Sequence, residues 1–192
     1  MEFEDRLRRN RSIRRFHQDR PIPVETLRRW VGNVCLAPSA ANLQPLRFVI
    51  VGGPEMAAAL FVHLRWAAYL KEWPGPAEGE RPSAYLVMLG DRRASPYLEV
   101  DSGIALQTIL LSAVAEGFNG CAIANCNKKE IARLMGTPET LEILMIIALG
   151  RSAETVVLDE VKDNNVRYWR DQAGVHHVPK RRQEDLVLKV FP

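Results

Sequence analysis

The stretch from Asp101 to Glu116 places the tightest constraint on how this chain can fold. Its spacing reads as a helix. Ile104, Ala105, Leu106, Ile109, Leu110, Leu111, Ala113 and Val114 spread over more than the single apolar stripe of a surface helix. Such a helix has to be buried on several sides. A chain of 192 residues holds one well-packed domain and little more. A second subunit covering one face of the helix is therefore the expected arrangement, a physical argument for a dimer.

The rest of the pattern supplies packing partners. Ile143 to Leu149 is a continuous apolar run, expected to be a central strand. Ala84 to Leu89 and Cys121 to Ile123 read as further strands, and Arg47 to Val51 as a buried strand closed by Gly52-Gly53-Pro54. Helical spacing covers residues 3–9, Val24 to Leu36, Pro54 to Leu70 with an extension toward Trp73, and Lys128 to Met135. Ile13 to Phe16 is expected to be extended or irregular, and residues 39–45 a loop. The polar stretch after Pro74-Gly75-Pro76, within residues 72–82, is the best candidate for a mobile loop. From Arg151 onward the chain reads as an extended tail with one turn at Asp171-Gln172-Ala173-Gly174. The class is α+β, a sheet with helices around it, without the regular βαβ alternation of a dinucleotide fold.

Hydrophobic residues make up 47% and charged residues 26%, ordinary for a globular protein. No apolar run reaches the length that spans a bilayer, and the start Met1-Glu2-Phe3-Glu4 lacks an apolar signal core, so the expectation is a cytoplasmic protein without a membrane role. Cys35, Cys121 and Cys126 form neither an even framework nor a CxxC pair. The last two read as core thiols. His176-His177 invites a metal reading, but neighbours on an extended segment point to opposite faces, and a tail pairing on a partner's surface is the better account. Trp66, Tyr69 and Trp73 stand at helical spacing, which favours packing over a substrate roof. The net charge of +3 is too small to imply nucleic acid. Arginines 6, 8, 9, 11, 14, 15 and 20 nevertheless crowd the first twenty residues, as a solvated face, an anion pocket or, least favoured, a polynucleotide patch. There is no GxGxxG, P-loop, HExxH or GxSxG motif.

Two segments carry the chemistry. Arg11-Ser12-Ile13-Arg14-Arg15-Phe16 offers fixed positive charge and a hydroxyl, suited to a phosphate. On an extended backbone Ser12 and Arg14 share a face and Arg11 opposes them, a constraint that an irregular backbone relaxes. Ala37-Pro38-Ser39-Ala40-Ala41-Asn42-Leu43-Gln44-Pro45 offers small residues, over which backbone can approach a flat ligand, and two amides for its polar rim. Together they suggest a phosphorylated, planar cofactor.

At these residues the chain resembles the nitroreductase family of flavin mononucleotide (FMN) enzymes. That family's signature is similar to Arg-Arg-Ser-x-Arg-x-Phe followed by Ala-Pro-Ser-x-x-Asn-x-Gln-Pro. Asn10 stands here where the first arginine often does. A late match, Ala148-Leu149-Gly150-Arg151, extends the resemblance over residues 3–151. It implies a mostly antiparallel central sheet surrounded by helices, forming one domain over 1–192 in an intertwined homodimer, with 152–192 as an extension packing on the dimer. It implies bound FMN, with Arg11, Ser12, Arg14, Gly150 and Arg151 toward the phosphate. Pro38, Ser39, Ala40, Asn42 and Gln44 would line the ring from the opposite subunit, and backbone amides of Ala122, Ile123 and Ala124 its reactive edge. Some relatives carry a glutamate where Ala124 stands. The activity implied is transfer of hydride from NAD(P)H to FMN and on to a nitroaromatic or quinone, with ping-pong kinetics, no catalytic side chain and no metal. The alternatives are a flavin-fragmenting or dehalogenating relative, a non-catalytic flavin-binding protein, and an anion- or nucleic-acid-binding module.

Overall fold

A computed structural model describes residues 2–192. The framework is a four-stranded antiparallel sheet built from β1 (Leu46–Val51), β2 (Ala84–Gly90), β3 (Asn119–Ile123) and β4 (Glu142–Gly150), in the order β1-β2-β4-β3. Around it stand α1 (Phe3–Arg9), α2 (Val24–Val34), α3 (Pro54–Phe61), α4 (Leu98–Ala115) and α5 (Lys128–Met135). The central strand β2 shows why its sequence is apolar throughout. Ala84, Leu86 and Met88 pack with Leu27 and Trp30 of α2 and Ile109 and Ala113 of α4. Tyr85, Val87 and Leu89 pack on the other face with Leu60 of α3 and Ile131 of α5. Alternation along the strand thus serves two cores, and every residue of β2 is buried.

The helix that constrained the sequence reading is α4, which begins at Leu98, three residues before Asp101. Leu98, Asp101, Ser102, Ala105, Ile109, Ala113 and Val114 are buried, while Ile104, Leu106, Leu110 and Leu111 are only half-covered. Apolar surface therefore remains on it beyond what this chain covers. By length and composition α4 is also apolar enough to cross a membrane, contrary to the sequence expectation. Its stripe lies instead against the sheet and α2. Trp30 Nε1 and Arg29 donate to Glu116 just past its end, at 2.9 and 2.6 Å. Those bonds, Trp30 first, hold the Glu116 carboxyl below its ordinary range.

Three expectations need correction. The strand β1 starts at Leu46 and is an edge strand in which only Val51 is buried. The helix after Pro54 stops at Phe61 rather than running to Leu70 or Trp73. Beyond it, Leu64 bridges Cys126, Arg65 N–H donates to the Asn125 carbonyl, and Ala67 adopts φ 41°. Non-local pairing outcompetes helical spacing there. Trp66 packs between Phe61 and Trp73 at centroid distances of 5.9 and 6.5 Å, against buried Gly75. The tail, finally, is not merely extended. β5 (Val156–Glu160), β6 (Trp169–Arg170) and β7 (His176–Lys180) form a second sheet in the order β5-β7-β6. It docks on the same chain's N-terminal segment, where Phe16 bridges Ser152 and Ala153 N–H donates to the Arg15 carbonyl.

Candidate active site

The arginine-rich segment runs along the free edge of β3. Ser12 bridges Gly120 in parallel, and Ile13 N–H donates to the Gly120 carbonyl at 3.1 Å. Gly120 itself is fixed by close packing on β4 and α4, because a Cβ there would meet the Ala148 carbonyl and the Leu110 side chain, both at 2.7 Å. Asn10, Arg11, Ser12 and Arg14 line one cavity of about 600 Å³. Its irregular backbone brings Arg11 to the same side as Ser12 and Arg14. The opposite wall comes from the tail, with Tyr168, His176, Lys180 and Arg181. The lining holds four fixed cations and no carboxylate, the donor set a phosphate dianion requires. Burial pulls the Arg11 guanidinium below its ordinary value, and its Nη2 donates to the Leu7 carbonyl at 2.8 Å.

Glu154 ties this wall to the segment. Its side chain is 1% exposed, accepts from the backbone N–H groups of Arg14 and Arg15, and pairs with Arg170 at 2.7 Å. His176 is buried, and burial first, then the Arg14 charge, pushes its pKa down to about 4. His177 points the other way, between Asp159 and Asp171 at 2.9 and 3.5 Å, with its ring stacked on Trp169. Among the described residues no group of three His, Cys, Asp or Glu side chains gathers to hold a metal ion.

Pro38, Ser39, Asn42 and Gln44 line a separate cavity of about 370 Å³, with Phe48 and Ile104 among its apolar walls. The loop is strained: Ala41, Asn42 and Gln44 adopt φ 48°, 54° and 49°. Asp101, 3% exposed on α4, holds it there. Its carboxylate accepts from Ser39 Oγ and Ala40 N–H, both at 2.8 Å, and Ser39 Oγ in turn accepts from Gln44 N–H at 3.0 Å. Ala40 thus works through its amide and does not line the cavity.

The remaining candidates divide. Ala122 and Ala124 are exposed at the edge strand and its exit, on the edge that Ser12 joins, while Ile123 turns into the core. Gly150 is a packing residue, since a Cβ there would meet the Phe16 ring at 2.7 Å. The Arg151 guanidinium lies over the Phe118 ring at 4.8 Å and lines neither cavity. The sequence reading missed Asp101, whose task shows only in three dimensions. It also missed Lys180 and Arg181, for which the basic run Lys180-Arg181-Arg182 was the available signal.

The family model described as "Nitroreductase family" matches residues 7–151. A protein named NADH dehydrogenase from Thermus thermophilus is 27% identical over 174 residues, covering 76% of this chain and 84% of its own. An iodotyrosine deiodinase from Thermotoga neapolitana is 25% identical over 163 residues, covering 76% and 86%. Among solved structures, a candidate nitroreductase from Exiguobacterium sibiricum in complex with FMN superposes with a TM-score of 0.68 at 21% identity, over 88% of this chain and 98% of that one.

Proposed function

Because this chain belongs to the nitroreductase family, we propose that it is an FMN-dependent oxidoreductase that draws electrons from NADH or NADPH and passes them to an electron-poor acceptor such as a nitroaromatic or a quinone. The observation that carries the reading is the cavity with four cations and no carboxylate, beside the free edge of β3. Arg11, Arg14, Ser12, Lys180 and Arg181 fit a phosphomonoester by charge and donor type. Exposed Ala122 and Ala124, on either side of buried Ile123, offer small residues to a flat ring on the same edge. When bound, FMN supplies the redox chemistry, accepting and returning a hydride equivalent. The protein's part is to hold the phosphate, present backbone donors to the ring and exclude water. No side chain is assigned a proton transfer, and one site used in turn by donor and acceptor gives ping-pong kinetics.

The Pro38–Gln44 loop lines a different cavity of the same chain from Arg14. We assign that loop to the ring bound at the partner's arginines, in a homodimer that also covers the half-exposed face of α4. The test is the visible spectrum of the purified protein, followed by anaerobic addition of NADH or NADPH. A yellow protein that bleaches supports the reading. A yellow protein that does not bleach favours a non-catalytic flavin-binding role. A protein that stays colourless after incubation with FMN overturns the reading and returns the arginines to general anion binding. The deiodinase among the relatives makes reductive dehalogenation the second reading, and iodide release from an iodinated phenol under the same reducing conditions would favour it.

A further inference from the structure

We propose that His176 is a positioning residue for Arg14, holding that guanidinium in the anion cavity through a neutral acceptor so that its charge stays available to the ligand. The proposal rests on the flavin-phosphate reading above and names a residue that makes the site selective for the phosphate.

The contacts of the Arg14 side chain are unusual for a half-buried arginine. Nη1 faces His176 Nε2 at 3.2 Å and the Ser12 carbonyl at 3.2 Å, and the guanidinium lies 4.8 Å from the centre of the Tyr168 ring. The Tyr168 ring in turn packs against His176 at 5.2 Å. The partners are a backbone carbonyl, an imidazole and a phenol ring, and none is a carboxylate. The Glu154 carboxylate takes the backbone N–H groups of Arg14 and Arg15 and the guanidinium of Arg170 instead. The segment is therefore anchored by an ion pair while the Arg14 charge is left uncompensated.

The tautomer of His176 follows from its partner. An arginine in a protein is always a donor, so Nε2 must carry the lone pair and Nδ1 the hydrogen. That Nδ1 is buried and has no hydrogen-bond partner among the described residues. The charged groups around the imidazole are Arg14, Arg170, Glu154 and the neighbouring His177. Burial first, then the charges of Arg14, Arg170 and His177, keep His176 neutral at physiological pH against the opposing pull of Glu154. A glutamate at the same place would grip Arg14 more strongly, but it would cancel the charge and repel a phosphate.

The test compares FMN and riboflavin, which share the ring and differ in the phosphate, by quenching of flavin fluorescence on titration with protein. The wild type is expected to prefer FMN. His176→Phe keeps a ring but removes the acceptor. It should weaken FMN binding about tenfold, the scale of one hydrogen bond to a charged group, with riboflavin binding unchanged. His176→Gln restores an acceptor and should stay within about threefold of the wild type. His176→Glu should lose at least as much FMN affinity as His176→Phe. Unaltered FMN preference in His176→Phe, or wild-type FMN binding in His176→Glu, would overturn the proposal. Equal loss of FMN and riboflavin in all three variants would do the same, since that pattern marks a purely structural residue. A wild type that binds both flavins equally would instead sink the phosphate reading, and this proposal with it.

Discussion

Two buried titratable side chains, Asp101 in the middle of the chain and His176 near its end, bear on the candidate site. Asp101 keeps a strained loop in place with both oxygens: one accepts from Ser39 Oγ and the other from Ala40 N–H. Replacing it by alanine leaves an amide and a hydroxyl without their partner beside a backbone that holds three residues at positive φ. We expect Asp101→Ala to cost about 2–4 kcal/mol, seen as a lower denaturation midpoint, and to loosen flavin retention. Asp101→Asn retains one acceptor and should cost less. His176 acts through pH. Unfolded, it titrates near 6.5, and in the fold it is pushed down to about 4. Between those values the unfolded chain binds more protons, so stability falls as pH drops through that window and is unaffected above it. Melting temperatures measured across pH 7 to 4 should fall more steeply for the wild type than for His176→Phe. Parallel curves would show that the imidazole is not the group that titrates.

At the scale of elements, the docking of the tail on the N-terminal segment turns on Glu154. It is 1% exposed, and its partner Arg170 is 11% exposed. Burial is the main reason that the Arg170 guanidinium is pulled below its ordinary value. Removing the carboxylate strands a buried cation and two backbone donors. Glu154→Ala should therefore cost about 3–5 kcal/mol and expose the tail to limited proteolysis, whereas a protease-resistant tail would argue that β5–β7 stand without it. This junction also shows where the sequence stops being legible. β2, β4 and α5 could be bounded to within a residue or so because their apolar patterns are set locally, by burial on two faces or on one stripe. The overrun of α3 came from Trp66, Tyr69 and Trp73, whose helical spacing is real, while the backbone just before them, residues 63–65, pairs with residues 125–127. The tail sheet was missed for a related reason. One of its two five-residue strands, His176–Lys180, is half polar and reaches Arg14, 162 positions earlier in the chain, through His176. The site divided likewise. That Arg11, Ser12 and Arg14 could face one anion was readable because fixed charge announces itself, whereas the contacts of Asp101 and His176 involve partners that no spacing reveals. At Gly150, expected toward the cofactor, the Phe16 ring fills the space a Cβ would need.

For the whole molecule, the separation of the two cavities on one chain makes a claim that can be tested by mixing chains. If each flavin sits between the Arg14 cavity of one subunit and the Pro38–Gln44 loop of the other, damage to the two halves should complement across a dimer. Arg14→Ala removes charge-assisted bonds of about 1.5–3 kcal/mol and should empty both sites of its homodimer at working concentrations of FMN. Asn42→Ala with Gln44→Ala strips the two amides from the loop and should weaken both sites of its own homodimer. In a heterodimer of the two variants, one site receives both faulty halves and the other receives both intact halves. Co-expression with two different affinity tags isolates that species. It should hold FMN at about half the wild-type stoichiometry with wild-type affinity at the occupied site, the arithmetic of one restored site in two. A site built within a single chain predicts something else: each subunit keeps its own defect, and the heterodimer binds as the average of the two damaged homodimers. Sedimentation at the concentrations of the titration completes the argument, because the half-exposed face of α4 should be covered whenever flavin is bound. A monomer carrying stoichiometric FMN would refute the shared site, whatever the heterodimer did.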